Sequence, residues 1–83
     1  MVYFDSLYTD AILLQDIPEE GVYVGDIGVV VERYDVVGLE AGYSVEFFDL
    51  LGNTVAVATV PASALRTPTA ADRPAARSVA ASA

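Results

Sequence analysis

Short apolar runs separated by turn residues occupy the first 66 residues of this chain. The runs are rich in Val, Ile, Tyr and Phe, and Gly, Pro and Asn interrupt them every few residues. β-Branched and aromatic residues pack well on a pleated sheet, so this pattern indicates short strands joined by tight turns. It predicts five strands, at residues 10–14, 27–34, 43–49, 54–60 and 65–66, with a 3₁₀ turn over 61–64.

This arrangement of strands predicts an all-β fold, a small five-stranded SH3-like barrel formed by residues 1–66. A five-stranded OB-fold is the alternative, but it usually carries a helix between its third and fourth strands, where this chain has a tight hairpin turn at 50–53. Residues 67–83 are rich in Ala, with Val79 as their one larger apolar side chain, and predict a flexible tail, disordered or weakly helical.

Strand faces are a second prediction of the pattern. The third strand has Tyr43, Val45 and Phe47 on one side. The second strand is apolar on both sides, with Ile27, Val29 and Val31 opposed to Val30 and Tyr34. A strand with two apolar faces needs a cover on its outside. That cover is either the N-terminal segment, with Phe4, Leu7 and Tyr8, or another protein.

The chain contains no His, Cys, Lys or Trp. Most proton transfer and nucleophilic attack at neutral pH uses His, Cys, Lys or a bound metal. No run of alternating oxygen ligands suggests a calcium site. We therefore predict a protein that is not an enzyme, has no catalytic residues and uses no cofactor or metal. A hydrolase that uses acids such as Asp26 and Glu46 is the alternative from another class.

Twelve acidic residues against four arginines give a net charge of −8. Such a chain repels phosphate backbones, so direct binding to nucleic acid is not expected, whereas attraction to a basic protein is. The alternative is that the charge only keeps a small domain in solution. No apolar run approaches the roughly 20 residues of a membrane span, and the N-terminus lacks the signal-peptide pattern, which predicts a cytoplasmic protein without a membrane partner.

The segment DIPEEG, followed by GDIGVVVE, carries the strongest local pattern. Its glycines do not follow a strand and open a helix, so the pattern does not indicate a phosphate-binding loop. We interpret five residues as structural turn residues: Pro18, Gly21, Gly25, Gly28 and, in the later hairpin, Gly52.

Together with YSVEFFDLLGNTVAVATV and ALR, these motifs resemble the small bacterial proteins of domain-of-unknown-function family 4926, over about residues 9–66. The resemblance implies an SH3-like barrel, and members of that family look like partners of other small proteins, which suggests antitoxin or accessory duty. The glycine element also resembles the KOW motif of RNA-binding barrels, but the absence of lysine removes the phosphate contacts of that motif.

We predict a non-enzymatic, acidic protein-binding module whose partner has a basic surface. The predicted partner-binding residues lie in the loop of residues 15–26, called here the early loop, and on the third strand: Asp16, Glu19, Glu20, Tyr23, Asp26, Glu46 and Phe48. Its most concrete form is an antitoxin or inhibitor that masks a basic partner. The alternative is an accessory subunit that is permanently bound to an enzyme through its two-sided second strand.

Overall fold

The computed structural model describes residue 4 and residues 6–74. It contains five strands, β1 (Asp10–Leu13), β2 (Ile27–Tyr34), β3 (Gly42–Phe48), β4 (Thr54–Pro61) and β5 (Leu65–Arg66), and 3₁₀ turns at Pro18–Glu20 and Ala62–Ala64. The all-β fold and the five strands are confirmed. The first 3₁₀ turn was not predicted; it lies within the early loop.

All strand pairs are antiparallel, and the sheet order is β4-β3-β2-β1-β5. The sheet curls into a half-barrel, an arrangement compatible with the predicted SH3-like barrel. The early loop connects β1 to β2, and the predicted hairpin turn connects β3 to β4.

The concave side of the sheet holds the core. Tyr43, Val45 and Phe47 are buried there together, as the alternation of β3 predicts. Phe4 joins them: its ring meets that of Tyr43 edge-on at 5.1 Å, and its N–H donates to the Tyr43 hydroxyl at 2.9 Å. The N-terminal segment therefore contributes Phe4 to the inside of the barrel, whereas Tyr8 is largely exposed.

Gly28 belongs to β2 rather than to the turn that precedes it, and its role is close packing. It pairs with Phe47, and a Cβ atom at this position would lie 2.5 Å from Cγ1 of Val45 and 3.0 Å from Cδ1 of Phe47. The missing side chain leaves space for the Phe47 ring beneath the β2–β3 pair. The positive backbone φ angles of Gly21 and Gly25, 73° and 93°, belong to the turns of the early loop instead.

The chain beyond β5 is tied back to the barrel by an ion pair. Arg66 donates to both carboxylate oxygens of Asp72, at 2.9 and 2.7 Å, and Asp72 also accepts the N–H of Thr69 at 2.6 Å. These contacts hold the pKa of Asp72 well below its ordinary value, with the Arg66 hydrogen bonds as the largest cause. The described contacts thus include Thr69 and Asp72, which belong to the predicted tail of residues 67–83, and residues 75–83 lie outside the described residues.

We expect Gly28→Ala to lower the free energy of unfolding by about 1–3 kcal/mol, the usual cost of forcing an extra carbon into a packed core. Gly42→Ala is the matched control, because a Cβ there meets nothing nearer than 3.8 Å and the residue also lies in a strand. Urea unfolding of both variants measures the difference. Equal stabilities for the two variants would contradict the packing role of Gly28.

Asp72→Asn is expected to weaken the dependence of the free energy of unfolding on pH in acidic solution. Because the folded pKa of Asp72 is depressed below 3.8, the ion pair stabilises the fold above about pH 4 and this contribution disappears as the pH falls further. The urea midpoint of the wild type should therefore approach that of the variant below about pH 4. Glu20→Gln, which removes an exposed carboxylate elsewhere, is the control. A difference in urea midpoint between the wild type and Asp72→Asn that stays constant with pH would contradict stabilisation by the ion pair.

Candidate functional site

Two aspartates hold the early loop in shape. Asp16 accepts the N–H of Val24 at 2.9 Å, and Asp26 accepts the N–H of Tyr23 at 2.9 Å. Short acidic side chains commonly bind nearby backbone N–H groups in this way. Asp16 and Asp26, predicted as partner-binding residues, thus have a structural task in the loop.

The turn at the far end of the loop presents the other two predicted acids. Ile17 and Val22 form an isolated antiparallel bridge, and Val22 is buried against the core. Glu19 and Glu20 lie in the 3₁₀ turn above this bridge, and both are exposed. The bridge therefore anchors a short turn that carries two carboxylates into solvent.

The convex side of the sheet, called here the outer face, carries Glu46 and Phe48. Glu46 lies directly between Val29 of β2 and Val57 of β4. Directly opposed residues on one sheet face have Cβ atoms about 4.5–5.5 Å apart, so the carboxylate has an apolar neighbour on each side. Glu46 is half-buried, and one of its oxygens accepts the hydroxyl of Thr54.

Phe48 extends this apolar region towards the end of the sheet. It is 43% exposed and pairs with Thr54 across a bulge, at which Val55 is the extra residue of β4. Ile27, the first residue of β2, lies beside the same end because its neighbour Gly28 pairs with Phe47. The apolar region of the outer face therefore consists of Ile27, Val29, Phe48, Val55 and Val57, and Glu46 lies at its border with Val29 and Val57 on either side.

The other half of the outer face is polar, and its side chains form hydrogen bonds with one another. Ser44, which is 6% exposed, donates to the Tyr34 hydroxyl at 3.1 Å, and Tyr34 donates to Glu32 at 2.9 Å. Because the single hydroxyl proton of Ser44 is used in this way, Thr59 must donate to Ser44 across their 2.9 Å contact. The chain of hydrogen bonds ends on the Glu32 carboxylate.

The β3–β4 hairpin presents two leucines at its tip. Leu50 and Leu51 are 88% and 89% exposed. Asp49 shapes the turn by accepting the N–H groups of Leu51 and Asn53, both at 2.9 Å, and the backbone and side-chain hydrogen bonds from Asn53 lower the pKa of Asp49 most. Sequence reasoning treated this segment only as a turn, although two leucines at turn positions were the available signal.

The structure thus divides the seven predicted partner-binding residues between two elements. Asp16, Glu19, Glu20, Tyr23 and Asp26 belong to the early loop, and Glu46 and Phe48 belong to the outer face. Asp26 immediately precedes β2, so the pairing of Gly28 with Phe47 brings that end of the loop to the same end of the sheet as Phe48. Sequence reasoning did not assign Val57, Val55 or the leucines of the hairpin tip to this surface.

The acidic side chains of the described residues do not cluster as a metal site requires. Within residues 4 and 6–74, no group of three or more acidic side chains is placed to hold a metal ion. Asp26 and Glu46, the acids of the hydrolase alternative, each accept a hydrogen bond from a different part of the barrel. In that same part of the chain, no helix has the length and apolar character to cross a membrane.

The chain belongs to the family described as "Domain of unknown function (DUF4926)", whose pattern it matches over residues 7–67. This confirms the resemblance recognised in the sequence and extends it by a few residues at the N-terminal side. No curated protein and no solved structure matches the chain.

We expect Asp26→Ala to loosen the early loop without unfolding the barrel. The Tyr23 N–H loses its acceptor, which costs about 1 kcal/mol and should raise its hydrogen-exchange rate several-fold. Glu19→Ala is the control because that acid lies exposed in the neighbouring turn. Exchange at Tyr23 that is unchanged in Asp26→Ala would show that the carboxylate does not hold the loop.

Proposed function

We propose that this protein is a non-enzymatic, acidic protein-binding module that acts in the cytoplasm and holds a partner with a basic surface. The observation that carries the proposal is the apolar region of the outer face, which is exposed around a single carboxylate in a strongly acidic chain. Exposed apolar regions rimmed by polar groups are typical of protein-binding surfaces.

Charge supports a basic partner. Residues 1–66 contain eleven acids and two arginines, Arg33 and Arg66. Both arginines already contact acids, Asp35 at 3.1 Å and Asp72 at 2.7 Å. The remaining acids therefore give the barrel a negative field that attracts a basic partner and accelerates its association.

The exposed aromatic side chains supply candidate anchors. Phe48 is 43% exposed on the outer face and Tyr23 is 37% exposed on the loop. Aromatic side chains are over-represented among the residues that dominate binding energies, and an aromatic ring beside acids suits a partner's arginine. The most concrete version of the proposal is an antitoxin or inhibitor that masks a basic partner.

An accessory subunit is the second candidate, and the exposed leucines of the hairpin tip favour it. Leu50 and Leu51 add apolar surface next to the end of β3, as a permanent apolar interface requires. The two candidates predict different behaviour for the protein when it is purified without a partner. The inhibitor is a stable monomer when purified alone, whereas the subunit aggregates without its enzyme.

Phe48→Thr is expected to reduce capture of a partner from a lysate of the cells that encode the chain at least tenfold. Val37→Thr is the control because Val37 is fully exposed in the loop between β2 and β3. Capture by the wild type should also fall as salt rises from about 0.05 to 0.5 M, since screening weakens attraction between charged surfaces.

The opposite outcomes are equally informative. Capture that persists in Phe48→Thr would exclude the outer face as the binding surface. Capture that is independent of salt would favour the accessory subunit, and the absence of any specifically retained protein would contradict both candidates.

A further inference from the structure

We infer that the apolar region of the outer face binds a protein segment that places a guanidinium or ammonium group on Glu46, between apolar side chains. This inference rests on the proposed function and specifies the chemistry of the partner. Its basis is the position of one carboxylate directly between Val29 and Val57, with Phe48 beside it on the same face.

The local geometry leaves one side of the carboxylate open. Thr54 donates to Oε2 of Glu46, whereas Oε1 accepts no hydrogen bond from the described residues. Val29 and Val57 flank Glu46 across the sheet, and Phe48 lies two residues farther along β3 on the same face. A segment that covers these apolar side chains must therefore also cover the carboxylate.

Covering the surface has two opposite effects on the free energy of binding. Removal of the valine and phenylalanine side chains from water is favourable. Removal of an ionised carboxylate from water is unfavourable unless a hydrogen-bonding cation replaces the lost water. A purely apolar segment is therefore disfavoured, and a segment with an arginine or lysine at the matching position is selected.

The chain's own barrel does not supply that cation. Arg33 donates to Asp35 and to the carbonyl oxygen of Phe4, and Arg66 is bound to Asp72. The net charge of −8 also opposes contact with a second copy through this face, which would bring two Glu46 side chains together. The occupant that fits is a different protein with a cation among apolar residues.

Synthetic peptides test this chemistry on the full chain. We would titrate acetyl-Val-Thr-Arg-Thr-Val-amide, which in an extended conformation has both valines and the arginine on one side, into the isotope-labelled protein and follow backbone amide shifts. Shifts should concentrate at Val29, Glu46, Phe48 and Val57. The peptide with its arginine replaced by glutamine should bind at least tenfold more weakly.

Variants separate pairing with a cation from simple hydrophobicity. Glu46→Gln and Glu46→Leu should each weaken binding of the arginine peptide at least tenfold, whereas Glu19→Gln should leave it nearly unchanged. Tighter binding by Glu46→Leu, or equal binding of the arginine and glutamine peptides, would overturn the inference while leaving a protein-binding function intact. A partner captured equally by Glu46→Leu and the wild type would have the same meaning.

Two other occupants give distinct results, and either one would overturn the inference. Outer-face shifts that depend on protein concentration, with a dimer in sedimentation, would identify a second copy. Outer-face shifts between the free wild type and an Arg73→Gln, Arg77→Gln variant would identify the chain's own C-terminal segment.

Discussion

One sheet must supply both the core and the outer surface of this barrel. Since the described residues form no α-helix that could cover the sheet, each strand residue faces either the concave interior or the convex side. Burial follows this division: Val30, Val45 and Ala58 lie opposite one another inside. The next rung, Val29, Glu46 and Val57, lies outside. The register of β2, β3 and β4 therefore determines the core and the candidate binding face together.

Strand limits and the sharing of faces follow in part from sequence. The predicted limits of β2 and β5 match those of the structure, and alternation placed Tyr43, Val45 and Phe47 on one face, which the structure shows to be the inner one. Two bulges limit such reasoning. The extra residue Val31 in β2 brings Tyr34 to the outer face rather than to the side of Val30, where alternation alone had placed it.

The second bulge, at Val55, has the same effect in β4: Thr54 reaches Glu46 on the outer face instead of following Ala56 inward. The bond between Arg66 and Asp72 escaped prediction for another reason. It joins the last strand to a segment of Ala, Thr and Pro whose composition suggests only a tail. Composition does not show whether such a segment turns back to contact the strand before it. Sequence reasoning therefore named candidate residues by type, but their arrangement on the sheet came only from the structure.

The acids of this chain combine two physical roles. Asp16, Asp26, Asp49 and Asp72 each accept backbone N–H groups and so shape a turn or a loop. An ionised carboxylate is the stronger acceptor, so at Asp49 and Asp72 the bonds that order the turn also favour the charged form. At Asp49 and Asp72 the lowered pKa values express this coupling directly. Local structure and negative field thus depend on the same groups, and a large charge does not by itself mean that every acid is available to a partner.

Glu46 differs from these aspartates because its contact is with a side chain on the neighbouring strand and not with a turn. Placed between two valines, it lowers the affinity of the outer face for any apolar surface that lacks a cation, including that of another copy. Natural sheets use charges in this way against unwanted association. Under the proposed function, this carboxylate both disfavours association of two barrels and selects a partner that neutralises it, so one side chain would account for both effects.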